Sequence, residues 1–232
     1  MSIGTRDSDV KNPGLADEGE GLIEWAAREM PVLRIIRDRF ATEQPLRGRR
    51  VSACLHVTSE TANLMLTLQA GGAEIALTAS NPLSTNDAVA AALAISHGVR
   101  TYAVRGEDAD THHSHIATVL AHRPHLAMDG GGDLVAELHG NGGRLVDRVL
   151  GGTEGTARGV IRLKAMAAQG LLRFPIIAIG RAVTDVSFAS QALSLEYLAS
   201  GHTRLERNVH ERPIEIDSEV ARLRLSAVGK GT

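Results

Sequence analysis

From Arg50 onward, short apolar runs start near Val51, Glu74, Arg100, His125, Leu145 and Pro175. Stretches of helical periodicity separate most of them, over 60–70, 86–97, 110–122, 133–139 and 156–169. The beat returns about every 25 residues, which is the length of a strand plus its crossover helix. Such a chain can pair its strands in parallel only by passing a helix over one face of the sheet each time. The pattern therefore predicts an α/β fold: a three-layer, doubly wound, mostly parallel sheet of about six strands. Helical N- and C-terminal extensions are expected to pack on the same domain.

The flanks are read more coarsely. Residues 1–18 are polar, carry Gly and Pro and lack periodicity, so a flexible tail is expected there. Apolar residues from Leu22 to Phe40 recur at helical spacing, and Pro31 should break that helix. The α/β body is expected over 19–186. Beyond it, Phe188, Ala192, Leu195 and Leu198 mark a helix from Ser187, within a helical segment 187–232 of the same unit. A net charge of −2 and 3% aromatics leave neither a basic footprint nor stacking platforms for nucleic acid. The single cysteine, Cys54, fits a core position and a reducing compartment. No apolar run has the length of a membrane span and no apolar signal core opens the chain, so a cytoplasmic protein without a membrane partner is expected.

In a doubly wound sheet the ligand crevice lies beyond the carboxyl ends of the strands. The polar residues that end each apolar run are then the ones to inspect: 55–61, 81–87, 105–108, 129–133, 151–156 and 180–181. Any one of these loops also reads as a turn with a helix cap. Six at one edge favour a site there. Asp129-Gly-Gly-Gly-Asp133 reads as a sharp turn opening a helix, with Asp133 as its cap. His112 and His115 share a helical face, but no metal set is expected from them.

Several segments together resemble a known family. "CLHVTSETANLMLTLQAGGAEIALTASNPLSTNDAVAAALA" (54–94), "MDGGGDLVAELH" (128–139), "GGTEGTARGVIRLKAM" (151–166) and "FPIIAIGRAVT" (174–184) are similar to the substrate-binding domain of S-adenosyl-L-homocysteine hydrolases. "SFASQALSLEYLA" (187–199) and "IDSEVARLRLSAVG" (216–229) resemble the segments that follow that family's cofactor domain. The resemblance implies adenosine contacts at His56, Thr58, Glu60 and Thr61. Leu55, Asn81, Ser84, Asp133, Thr156 and Arg158 complete the expected substrate set. Asp129, Glu154 and Asp185 are the expected catalytic residues.

The departures from the family pattern are as informative. The resemblance implies an NAD-binding domain between the two halves of "VTDVSF" (183–188) and a basic C-terminal tail; neither is found, and no G-x-G-x-x-G occurs in the chain. A family Asp is Gly130, a family Glu is Gly155, a family Asn is Gly180, and the family's catalytic Lys falls on Asp185. The adenine end is kept and the ribose redox end is not. The expectation is a protein that holds no NAD and takes a small adenosyl ligand as substrate. S-adenosylmethionine suits non-redox elimination, cyclisation or hydrolysis, because its sulfonium is already activated. The alternative is a non-catalytic S-adenosylhomocysteine or adenosine binder, or half of a split enzyme. A homodimer or higher homo-oligomer is expected to cover the open cleft.

Overall fold

The structure is a computed structural model that describes residues 7–140, 145–180, 184–200 and 205–229. Six strands carry the sheet: β2 (Arg50–Leu55), β3 (Glu74–Ala79), β4 (Arg100–Ala103), β5 (Leu126–Asp129), β6 (Gly151–Glu154) and β7 (Ile176–Ala178). Two short strands, β1 (Asp9–Val10) and β8 (Val209–His210), add to the edges. The order is β1-β4-β3-β2-β5-β6-β7-β8, and every pairing is parallel.

The fold class read from the sequence holds, with eight strands where about six were expected. Three details differ. Part of the segment read as a tail pairs with the sheet: Asp9 and Val10 lie beside Tyr102 and Ala103. Leu145 does not start a strand; Val146–Arg148 is a turn of 3-10 helix and β6 begins at Gly151. "GGTE" looks like a turn, yet here it is a central strand. A Cβ at Gly152 would come 2.7 Å from the Ala127 carbonyl, and one at Gly151 2.7 Å from Leu198. The glycines are there because neighbouring groups pack against the strand too closely for side chains.

Helices cover both faces. α3 (Ser59–Ala70) and α4 (Asp87–Ile95) lie on one face, with α1 (Ala16–Arg28) and α2 (Pro31–Glu43) packed outside them. α5 (Ala109–Ala121), α6 (Asp133–Gly140) and α7 (Ala157–Ala168) cover the other. Strand alternation divides the core accordingly. Val51, Ala53 and Leu55 belong to the first cluster. Cys54 belongs to the second, and the Ser52 hydroxyl donates to the Val119 carbonyl on α5. Cys54 is fully buried, as expected of a core residue. Pro31 is the first residue of α2, so the expected break is a helix start.

α8 (Thr184–Ala199) and α9 (Ile214–Gly229) close the unit. Arg181, part of the expected 180–181 loop, lies outside the described residues. α8 starts six positions after the last residue of β7, three residues earlier than read from the sequence. Leu195, Leu198, Ile216, Val220 and Leu223 join the same core as α2 and α3. Asp185 explains part of that docking. Met30, which precedes α2, offers no side-chain cap. The Asp185 carboxylate instead accepts from the backbone N–H of Val32 (3.0 Å) and Leu33 (2.9 Å). A negative charge at a helix N-terminus is stabilising. Asp185→Ala should lower unfolding free energy by about 1–3 kcal/mol, with Asp185→Asn losing less. Urea unfolding checks this; an unchanged midpoint for the alanine variant would remove the capping role.

Candidate functional site

β2 leads to β3 and β4 on one side, and the chain then crosses back to start β5 on the other side of β2. The strand order thus reverses between β2 and β5, which is where an open α/β sheet binds ligands. The loops that meet there are 55–61 and 129–133. A Cβ placed on Gly130 would lie 3.5 Å from the Cys54 carbonyl, 3.6 Å from Leu55 Cδ2 and 3.6 Å from Ser80 Oγ. The ends of β2, β3 and β5 therefore converge on Gly130.

The loop after β2 is built as a cap. Thr58 is the N-cap of α3 and its hydroxyl accepts from the Thr61 N–H at 3.4 Å. Thr61 is buried beneath it. Glu60, in the first turn of α3, is half-buried and accepts from the Ser59 hydroxyl. His56 is exposed and makes no side-chain hydrogen bond with another described residue. Leu55 is buried, and its carbonyl accepts from the Ser80 N–H. Asn81 and Ser84 close the adjacent turn: the Asn81 side chain accepts from the Leu83 N–H, and the Ser84 hydroxyl donates to the Asn81 carbonyl.

Two carboxylates end neighbouring strands. Asp129 and Glu154 are register partners in β5 and β6, so both side chains point to the face covered by α6 and α7. Both are buried. Asp129 accepts from the N–H groups of Gly130 and Val135. Glu154 accepts from the Gly131 N–H, the Thr156 N–H and the Thr156 hydroxyl. Thr156 in turn caps α7 by accepting from the Gly159 N–H. Burial, reinforced by the Glu154 charge, pushes the Asp129 carboxyl up to about 8. Burial also raises Glu154, against the pull of Thr156. These bonds fix Gly131 and Gly132, which take positive φ values of 152° and 82° open to glycine.

Each of the three residues read as catalytic accepts hydrogen bonds from backbone N–H groups. Asp129 organises the turn after β5, Glu154 the start of α7, and Asp185 the start of α2. Burial raises the Asp185 carboxyl as well. Asp133 is also displaced from its expected role. It begins α6 but pairs with Arg162 on α7, and Asp129 does the capping by reaching Val135. Arg158 is exposed in the first turn of α7. The histidines of α5 are tied down: His112 and His115 both bond the side chain of Glu107, each at 2.9 Å.

One residue at the crevice was missed in the sequence. The Ser80 hydroxyl is buried without a hydrogen-bond partner among the described residues. It lies at the tip of β3 facing Gly130. A serine just before "NPLS" reads as part of the turn, and only the convergence of three strand ends shows it to be placed otherwise.

Fold and crevice together define an open, parallel α/β domain whose strand ends converge at the switch point of its sheet. More narrowly, the chain belongs to the S-adenosyl-L-homocysteine hydrolase family, whose model matches residues 7–144 and 140–231. It is 55% identical over 180 residues to an adenosylhomocysteinase of Aquifex aeolicus, covering 78% of this chain and 43% of that protein. An adenosylhomocysteinase of Sulfolobus acidocaldarius is 51% identical over 179 residues, 77% of this chain and 42% of that one. An S-inosyl-L-homocysteine hydrolase of Methanopyrus kandleri is 48% identical over 175 residues, 75% and 41% of the two chains. The chain thus spans about two fifths of the length of the curated relatives it matches. Among the described residues no helix is long and apolar enough to cross a membrane.

Proposed function

We propose that this protein binds an adenosyl compound in the crevice between β2 and β5 and acts on it without NAD. The observation that carries the reading is the 56–61 loop at the switch point. It combines an exposed His56, a Thr58–Thr61 cap and a half-buried Glu60 in a family member. Glu60 can accept from an exocyclic amino group such as adenine's. S-adenosylmethionine is the substrate class that suits non-redox chemistry. When a C–S bond of its sulfonium breaks, the electron pair returns to sulfur and a neutral thioether leaves. Elimination, cyclisation and hydrolysis all follow from that step. His56 is the titratable group left to take the released proton, since Asp129, Glu154 and Asp185 are enclosed. A reducing, cytoplasmic setting agrees with a lone, buried Cys54, whose thiol burial holds protonated.

The donor set does not fit a dinucleotide. A pyrophosphate needs free N–H groups at a glycine-rich helix start. Here the Gly130 and Gly131 N–H groups of the turn and the Val135 N–H in the first turn of α6 are directed at Asp129 and Glu154. An anion would meet two carboxyl groups. The purified protein is expected to carry no NAD, and NAD recovered at one per chain would overturn this part of the proposal.

Enclosure of all three carboxylates also favours a second reading, a non-catalytic adenosyl-compound binder. Mass spectrometry after incubation with S-adenosylmethionine, S-adenosylhomocysteine and S-inosylhomocysteine separates the two, because only an enzyme yields product. Calorimetry tests what they share. Glu60→Ala should weaken binding of the adenosyl ligands by about ten- to a hundredfold, the value of a charge-assisted hydrogen bond. Absence of binding by the unaltered protein up to about millimolar ligand, an affinity of only ~4 kcal/mol, would sink both readings.

A further inference from the structure

α9 carries two apolar stripes, and the fold uses one. Ile216, Val220 and Leu223 are buried in the core, with Ala227 packed against it. A second set, Ile214, Ser218, Ala221 and Leu225, follows the 4-3-4 spacing of a helix–helix seam and is exposed throughout. Ile214 and Leu225 are 71% and 75% exposed, the highest values among the exposed large hydrophobic residues of the described chain. Beside this seam a groove of about 500 Å³ runs between α8 and α9, where Val186 and Ser190 face Ala221 and Leu225.

The charges that flank the seam say what covers it. Glu215 and Arg222 lie on one side, Asp217 and Arg224 on the other. Acidic residues occupy the first half of α9 and basic residues the second. A helix with this polarity complements itself when a copy is laid antiparallel. Ile214 then meets the partner subunit's Leu225, and Ser218 meets the partner subunit's Ala221. Glu215 faces the partner subunit's Arg222, and Asp217 faces the partner subunit's Arg224. Two-fold symmetry repeats every contact. A parallel pairing would oppose acid to acid and base to base. Within the chain Asp217 also pairs with Arg212, and Arg222 with Glu219, so the cross-seam charges would extend existing pairs.

We propose that the exposed seam of α9 is a homodimer interface, in which two copies pair their α9 helices antiparallel about a two-fold axis. The paired length is about 24 Å for 16 residues at the helical rise. That is a small contact even with the α8 rim added, so a dimer of about micromolar affinity is expected.

Sedimentation equilibrium of the full chain tests this, with circular dichroism to confirm that each variant folds. Leu225→Glu replaces an exposed side chain, so folding should be kept and dimerisation weakened by at least about a hundredfold. Glu215→Lys and Arg222→Glu each place like charges across the seam, and each alone should weaken the dimer about three- to tenfold. An equimolar mixture of those two variants should regain wild-type association as a heterodimer, because their altered charges are opposite. That rescue is specific to the antiparallel pairing. A wild-type chain that stays monomeric at about 200 µM, well above the expected dissociation constant, would overturn the proposal. A dimer unaffected by Leu225→Glu, or a mixture that shows no rescue, would overturn it as well.

Discussion

Gly159→Ala is expected to lower the melting temperature by about 6–12 °C, although the same change in an ordinary helix is stabilising. Glycine inside a helix normally costs about 0.5–1 kcal/mol relative to alanine. At Gly159 an added Cβ would stand 2.2 Å from the Glu154 carboxyl carbon and 2.3 and 2.4 Å from its oxygens. A carboxylate on a free side chain could swing away. This one is fully buried and held by the Thr156 N–H, the Thr156 hydroxyl and the Gly131 N–H. Moving it breaks those bonds and strands a buried acid, so a cost of about 3 kcal/mol or more is expected. For a domain of this size each kcal/mol shifts melting by about 2–4 °C. The effect should depend on Glu154. In a Glu154→Ala background the clash is gone, and Gly159→Ala should cost almost nothing or stabilise. Equal costs in the two backgrounds would show that the glycine is required for some other reason.

That coupling shows where sequence reasoning stops. The alternation of apolar runs gave the parallel α/β class because each element has its own period, and period is local. The 55–61 loop was legible for the same reason: Thr58 caps the helix that contains Thr61. What could not be read were partnerships between distant segments. Asp185 looks like a site residue until it is seen capping a helix that begins at Pro31. Glu154 looks like a loop residue because Gly151-Gly152 resembles a turn, whereas those glycines admit the Ala127 carbonyl and Leu198. Asp133 looked like the cap of α6 by proximity, and the reach of Asp129 from the strand end displaced it. Carboxylates at strand ends are candidates for catalysis and for holding helix starts alike. Only burial and the direction of the side chain separate the two uses, and neither is encoded locally.

The buried pair also fixes how stability should follow pH. Both Asp129 and Glu154 bind their protons more tightly in the folded protein than an exposed carboxyl does, Asp129 up to about 8. Between the ordinary carboxylate value of 3.8 and about 8 the native state therefore holds a proton at Asp129 that the unfolded chain has lost. Stability must fall as pH rises through that interval, by up to about 1.4 kcal/mol per pH unit for a fully shifted group, and level off above it. Asp129→Asn removes the ionisation but keeps one oxygen acceptor, and its amide N–H₂ can donate toward Glu154. It gives up one of the two backbone hydrogen bonds from Gly130 and Val135, a cost of about 1 kcal/mol at any pH. The two profiles should therefore cross: the variant is the less stable protein near pH 5 and the more stable one near about pH 8.5, where the wild type bears the full cost of the buried charge. Urea midpoints at both pH values decide it. Parallel profiles would mean that Asp129 titrates alike in both states, and that the turn at the mouth of the crevice is held by an ordinary ionised carboxylate.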